Sequence, residues 1–89
     1  MQIASDTVGD VVRRLRRAEG QMRGIIAMIE EGRDCAEVVT QLAAVSRALD
    51  RAGFKIVASG LQQCVAAKRA GEDQSANLQR MEKLFLSLA

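Results

Sequence analysis

Residues 34–56 read DCAEVVTQLAAVSRALDRAGFKI. Within them Cys35, Val38, Leu42, Val45, Leu49, Ala52 and Ile56 follow one another in alternating steps of three and four. That spacing keeps one face of an α-helix apolar in heptad register, whereas a strand would need every second residue to be apolar. Asp34 with Glu37 three positions on has the form of a capping box and marks the start. The stripe continues less regularly through Leu61, Cys64 and Val65 to a stop near Gly71, which predicts a helix over residues 34–70. At 1.5 Å per residue it would be roughly 50 Å long. Gly53 and Gly60 lie inside it, each lowering helix stability by roughly 1 kcal/mol relative to alanine, and either close packing or a kink at Gly60 would account for such a residue.

Upstream, Val8, Val11, Val12, Leu15, Ala18, Met22, Ile25, Ile26 and Ile29 form a second apolar stripe at helical spacing. Thr7 with Asp10 suits its N-cap and Gly32 its end, which predicts a helix over 7–31. Downstream of the polar stretch Gly71–Ser75, the residues Leu78, Met81, Leu84, Phe85 and Leu88 predict a third helix over 75–88. With 48% hydrophobic but only 2% aromatic residues and no proline, the chain is expected to be all-α, a single helical domain over residues 1–89. A chain of 89 residues buries a limited share of its surface, and the middle helix is longer than the first can cover. A second copy of the chain is the simplest cover for the remainder.

The net charge of +2 does not by itself indicate nucleic acid, so the placement of the arginines must carry any such argument. No apolar run approaches the ~20 residues of a membrane span, and the N-terminus has no basic start followed by an apolar stretch, so a cytoplasmic protein is expected. Histidine is absent, which removes most zinc, nickel and cobalt sites, imidazole acid–base catalysis and catalytic triads. With no cofactor motif either, an enzyme is the least expected class.

The two cysteines, Cys35 and Cys64, stand 64 − 35 = 29 positions apart. On a continuous helix this is on the order of 43 Å, so they do not meet within one chain. If two copies of the helix pair antiparallel about a twofold axis, residues whose numbers sum to about 99 face each other and Cys35 meets Cys64 of the partner subunit. The same sum sets Leu49 beside the axis and Val45 opposite Phe54. Cys35 falls in the first helical turn, where free N–H groups and the helix dipole favour thiolate, while Asp34 and Glu37 oppose it. The alternative reading is that both thiols simply fill core positions.

Arg13, Arg14, Arg16, Arg17 and Arg23 lie off the apolar stripe of the first helix, with only Glu19 among them of opposite charge; Arg47, Arg51 and Lys55 add a polar strip on the second. Such residues form either a merely solvated face or, repeated in a symmetric oligomer, a surface that displaces counterions from DNA phosphates. No helix-turn-helix, zinc finger, basic zipper or aromatic RNA-binding motif accompanies them.

The segment RLRRAEGQMRGI over 14–25, IEEGRDC over 29–35 and QLAAVSRALDRAGFKIV over 41–57 resemble the copper-sensing repressor family (CsoR/RcnR family), and the likeness extends over nearly the whole chain. The resemblance implies a three-helix protomer, an antiparallel dimer forming a four-helix bundle, a dimer-of-dimers tetramer and operator DNA binding that an inducer weakens. It points to Arg14 and Arg51 first as DNA contacts, with Arg17, Lys55 and Arg23 behind them, and to Cys35 and Cys64 as the inducer-sensing thiols.

The departures concern the inducer. Copper-sensing members carry a Cys-His-Cys pattern, and the histidine position is Gly60 here; the supporting Tyr and Glu positions are Asp34 and Arg80. Nickel- and cobalt-sensing members need several histidines, and formaldehyde-sensing members an N-terminal proline. The chain is most similar to the persulfide-sensing branch, which implies that Cys35 takes sulfane sulfur from a reactive sulfur species and Cys64 of the partner subunit then closes a disulfide or polysulfide bridge. No cofactor is expected. Copper(I) held by the same two thiolates is the alternative inducer, and a structural bundle without a DNA role the second alternative.

Overall fold

A computed structural model describes residues 2–89 as three helices, α1 (Ser5–Glu30), α2 (Cys35–Arg69) and α3 (Ser75–Leu88). The described residues contain no strand. α1 and α2 lie side by side, and α3 packs on α2 without packing on α1. The protomer is a slab of 58 × 24 × 12 Å, one helix thick and as long as α2.

Both α1 and α2 end on a glycine in the left-handed region. Gly32 has φ 73° and Gly71 φ 89°. At each, two amides fold back on the last turn: Gly32 N–H donates to Ile29 O at 3.1 Å and Arg33 N–H to Met28 O at 2.9 Å, and Gly71 N–H donates to Lys68 O and Glu72 N–H to Ala67 O, both at 3.0 Å. These are Schellman closures, which satisfy terminal carbonyls in a backbone conformation that disfavours a Cβ. Gly32→Ala is therefore expected to destabilise the protein by about 1–2 kcal/mol, read as a lowered midpoint in urea, although nothing lies within contact distance of the added methyl.

The start of α1 and the capping box of α2 differ from the sequence-based expectation. α1 begins at Ser5, two residues before Thr7, with Ala4 as a cap that offers no side-chain acceptor; Asp10 serves instead in ion pairs with Arg14 and Lys55. At α2 the Asp34 carboxylate accepts from Ala36 N–H at 3.0 Å, but Glu37 turns to Arg33 Nε at 3.0 Å. The capping box is thus half formed, because a neighbouring guanidinium holds its second carboxylate.

The core is a narrow seam. Val11, Ala18 and Ile25 of α1 and Val45 and Ala52 of α2 are buried, with Val38 half-buried against the cluster of Ala18, Ile25 and Val45. The α1 set recurs every seven residues, as does the α2 set, so this seam uses one position of each heptad. Much of the rest of both stripes remains outside, Ile56 and Cys64 excepted: Val12, Leu15 and Met22 of α1 and Leu49 of α2 line one shallow surface with Arg16 and Glu19, and Leu42 is 49% exposed. The continuous stripe expected for α2 therefore divides, Val38, Val45 and Ala52 facing α1 while Cys35, Leu42 and Leu49 stay open. The expected pairing of Val45 with Phe54 across two subunits is corrected by the same geometry. Val45 is buried within its own protomer, and Phe54 stacks on Phe85 of α3 with ring centroids 5.4 Å apart.

α2 runs unbroken through both internal glycines. Gly53 is a point of close approach, since a Cβ there would meet Leu88 Cδ1 at 2.8 Å. Gly60 is buried and lies beside Ile3, Ile56 and Met81. Neither glycine interrupts the helix; the close approach of Leu88 accounts for Gly53.

Candidate functional site

The two thiols differ in access. Cys35, the first residue of α2, is exposed, and Cys64 is buried at 1% exposure. The uninterrupted helix between them keeps the separation on the order of 43 Å. Twenty-nine residues is also close to eight full turns at 3.6 residues per turn, so the two Cβ atoms leave α2 on the same side. A second α2 laid antiparallel along that side would meet Cys35 directly, whereas Cys64 is already covered within its own protomer. Asp34 is exposed beside Cys35, and its carboxylate already holds one of the first-turn amides. Gly60, one turn before Cys64, supplies no donor atom, and Arg80 on α3 is exposed.

Part of the basic set gathers on the other broad side of the slab, while Arg16 lies with Val12, Leu15 and Met22. Arg14, Arg17 and Gln21 of α1 line a shallow surface with Ala44, Ala48 and Arg51 of α2. Their spacing accounts for this. Arg14, Arg17 and Gln21 follow steps of three and four on α1, as do Ala44, Ala48, Arg51 and Lys55 on α2. Small alanines between the arginines leave a floor that a bulky ligand can approach. Lys55 lies at the edge of this surface, where its Nζ is 3.2 Å from Asp10 Oδ2. The same oxygen is 3.2 Å from Arg14 Nε, and Arg13 approaches Oδ1 at 3.5 Å.

Hydrogen bonds from Lys55 and then Arg14 hold the Asp10 carboxyl below its ordinary range. A group depressed in this way adds stability that is present above the ordinary carboxylate range and lost as pH falls through the depressed one. Asp10 therefore remains a carboxylate throughout the neutral range. Among the described residues, neither Arg17 nor Arg51 has a carboxylate partner.

Four of the five expected DNA contacts, Arg14, Arg17, Arg51 and Lys55, thus share one side of the protomer. Arg23 does not join them. It stands nine residues after Arg14, two and a half turns at 3.6 residues per turn, and so leaves α1 on the opposite side. The sequence marks Asp10 only as a capping residue and does not single out Ala44, Ala48 or Gln21, although Asp10 lies four positions before Arg14 and Ala44 and Ala48 precede Arg51 and Lys55 by seven.

Known proteins share both sequence and shape with this chain. The copper-sensing transcriptional repressor RicR of Mycobacterium tuberculosis is 47% identical over 53 residues, covering 60% of this chain. This chain spans only 55% of RicR's length. The copper-sensing transcriptional repressor CsoR of Bacillus subtilis is 34% identical over 67 residues, 74% of this chain and 66% of that protein. Among solved structures, the nickel-responsive transcriptional regulator InrS superposes with a TM-score of 0.82 at 30% identity, covering 100% of this chain and 98% of InrS. A sequence model of metal-sensitive transcriptional repressors matches residues 8–87. The match over residues 8–87 covers nearly the whole chain, and the chain belongs to the family of metal-sensitive transcriptional repressors, the CsoR/RcnR family.

Proposed function

We propose that this protein is a cytoplasmic, homotetrameric DNA-binding repressor that persulfides or polysulfides release from its operator through Cys35 and Cys64 of adjoining subunits. The observation that carries this reading is the disposition of the thiols on α2: one exposed, one buried, about eight turns apart on the same side, with no imidazole at Gly60 between them. Antiparallel pairing of two α2 helices then creates two equivalent dithiol sites per dimer. The open surface of Val12, Leu15, Met22 and Leu49, which Arg16 and Glu19 also line, supports such pairing, because its apolar part is stabilised by contact with another apolar face.

The chemistry needs only these thiols and a sulfane-sulfur donor. The exposed Cys35 thiolate attacks the terminal sulfur of a polysulfide; a Cys35 Sγ–S bond forms, the donor's S–S bond breaks, and the shortened donor leaves as its anion. The deprotonated Cys64 of the partner subunit then attacks Cys35 Sγ, forms the Sγ–Sγ bond and expels hydrosulfide. Two thiols are oxidised and one sulfane sulfur is reduced. Arg51 and Lys55 lie between the two cysteines in sequence, so a bridge at each end constrains the helical segment that presents them. Release of DNA follows if the bridged geometry has lower DNA affinity than the reduced one.

Copper(I) is the second reading, favoured by the copper-sensing names of RicR and CsoR and by the affinity of thiolates for soft cations. Two thiolates would hold it linearly; the third ligand of a trigonal site is missing at Gly60. The nickel response named for InrS finds no imidazole in this chain. Anaerobic titration with copper(I) and separate exposure to polysulfide, each followed by intact mass, a non-reducing gel and DNA binding, separates the readings. Polysulfide is expected to give a covalent dimer and DNA release. Tight copper(I) binding with DNA release, and no covalent dimer under polysulfide, would sink the persulfide reading.

A further inference from the structure

The basic side of the protomer contains a built acceptor site with its own resident anion. Arg14 Nε on α1 and Lys55 Nζ on α2 converge on a single oxygen, Asp10 Oδ2, each at 3.2 Å. Two cations brought from different helices to one oxygen form the donor arrangement that a phosphate oxygen also accepts. We propose that Arg14 and Lys55 form a phosphate seat for duplex DNA and that Asp10 occupies it as an internal counter-ion, limiting DNA affinity and its salt dependence. The proposal rests on the DNA-binding reading above and deepens it.

Three observations support the assignment. Asp10 lies four residues before Arg14 on the same helix face, so the helix itself keeps its carboxylate within reach of the guanidinium. Arg14 meets Asp10 through Nε, which leaves the outward Nη groups to a second acceptor. The neighbouring Arg17 and Arg51 have no carboxylate partner among the described residues; Asp6 lines the same groove as Asp10 and Lys55, but of the two carboxylates only Asp10 is ion-paired with Lys55 and Arg14. A phosphate entering it either displaces Asp10 or shares the cations with it. Both routes cost affinity compared with a seat that has no anion. An ordinary exposed ion pair would contribute little to stability and nothing to DNA binding.

Asp10→Asn keeps the size and hydrogen-bonding capacity of the side chain and removes the charge. Wild type, Asp10→Asn and Arg51→Ala are compared by fluorescence anisotropy with a mixed-sequence duplex across a salt series, and by NMR titration of the Arg14 Nε–H and Lys55 side-chain signals with inorganic pyrophosphate. Circular dichroism confirms that each variant is folded, and Asp10→Ser repeats the test should Asp10→Asn fail to fold. The expected result is tighter duplex binding by Asp10→Asn, on the order of tenfold near 0.1 M salt, with the slope of log K against log salt steeper by about 0.9 for each seat facing DNA. Pyrophosphate should move the Arg14 and Lys55 signals at lower concentration in Asp10→Asn than in wild type. Unchanged or weaker duplex binding by Asp10→Asn, in a protein whose binding Arg51→Ala still reduces, overturns the proposal. If wild type shows no duplex binding that Arg51→Ala reduces, the DNA reading itself falls, and pyrophosphate decides the seat alone: displaced signals support it, unmoved signals reject it.

Discussion

Arg51→Ala is expected to weaken binding to duplex DNA by an order of magnitude or more and to lower the salt slope by about one for each phosphate contact removed. The direction follows from charge placed on a surface shared by α1 and α2, with alanines between the cations. The size relative to its neighbours follows from partners. Arg51 has no carboxylate partner among the described residues, whereas Arg14 and Lys55 share the Asp10 carboxylate, so truncating Arg51 removes an unshared cation and should cost more than truncating either of the others. Arg23→Ala, on the far side of α1, should change affinity by less than about twofold, since a distant exposed charge is largely screened. Equal losses for Arg23 and Arg51 in an anisotropy titration would mean that net charge, not this surface, governs binding.

The second large effect concerns the thiols, because removing either one leaves the proposed bridge incomplete. Cys64→Ala treated with polysulfide should gain one sulfur atom on Cys35 and form no covalent dimer. Cys35→Ala should remain unmodified over the same interval, since its remaining thiol is buried at 1% exposure and buried thiols react slowly. In both variants DNA binding is expected to persist under polysulfide, a complete loss of response. Intact mass and the non-reducing gel read the chemistry, and anisotropy reads the consequence. Rapid modification of Cys64 in Cys35→Ala would reverse the order of the two steps.

The helices were legible because their periodicity, glycine stops and polar breaks agree. Gly32 and Gly71 close α1 and α2 in the left-handed conformation that their position after the last apolar turn implies, and α3 spans Ser75–Leu88 as its stripe indicates. The start of α1 was less legible, since Asp10, read as a capping residue, is engaged by Arg14 and Lys55; at α2 Asp34 caps the helix and only the role read for Glu37 is lost, to Arg33. Competition between an ion pair and a cap depends on which side chains stand nearby in three dimensions, and Lys55 is brought to Asp10 only by the packing of α2 on α1.

The division of the α2 stripe was hidden for a related reason. Hydrophobicity marks Val38, Leu42, Val45 and Leu49 alike, but one neighbouring helix covers only part of that arc, and its rotation selects Val45 while leaving Leu42 and Leu49 open. At the candidate site the spacing of Cys35 and Cys64 was readable as helical geometry. The burial of Cys64 and the convergence of Arg14 and Lys55 on one carboxylate oxygen needed the fold.

In the proposed sensor, thiols from different subunits form one site. Mixing a Cys35→Ala protomer with a Cys64→Ala protomer tests this directly, because the mixed dimer retains one complete pair, Cys35 from one chain and Cys64 from the other. After subunit exchange and polysulfide treatment, the mixture is predicted to give a covalent heterodimer that releases DNA, while each variant alone gives none. No crosslink in a mixture shown to have exchanged its subunits would contradict the antiparallel pairing of α2.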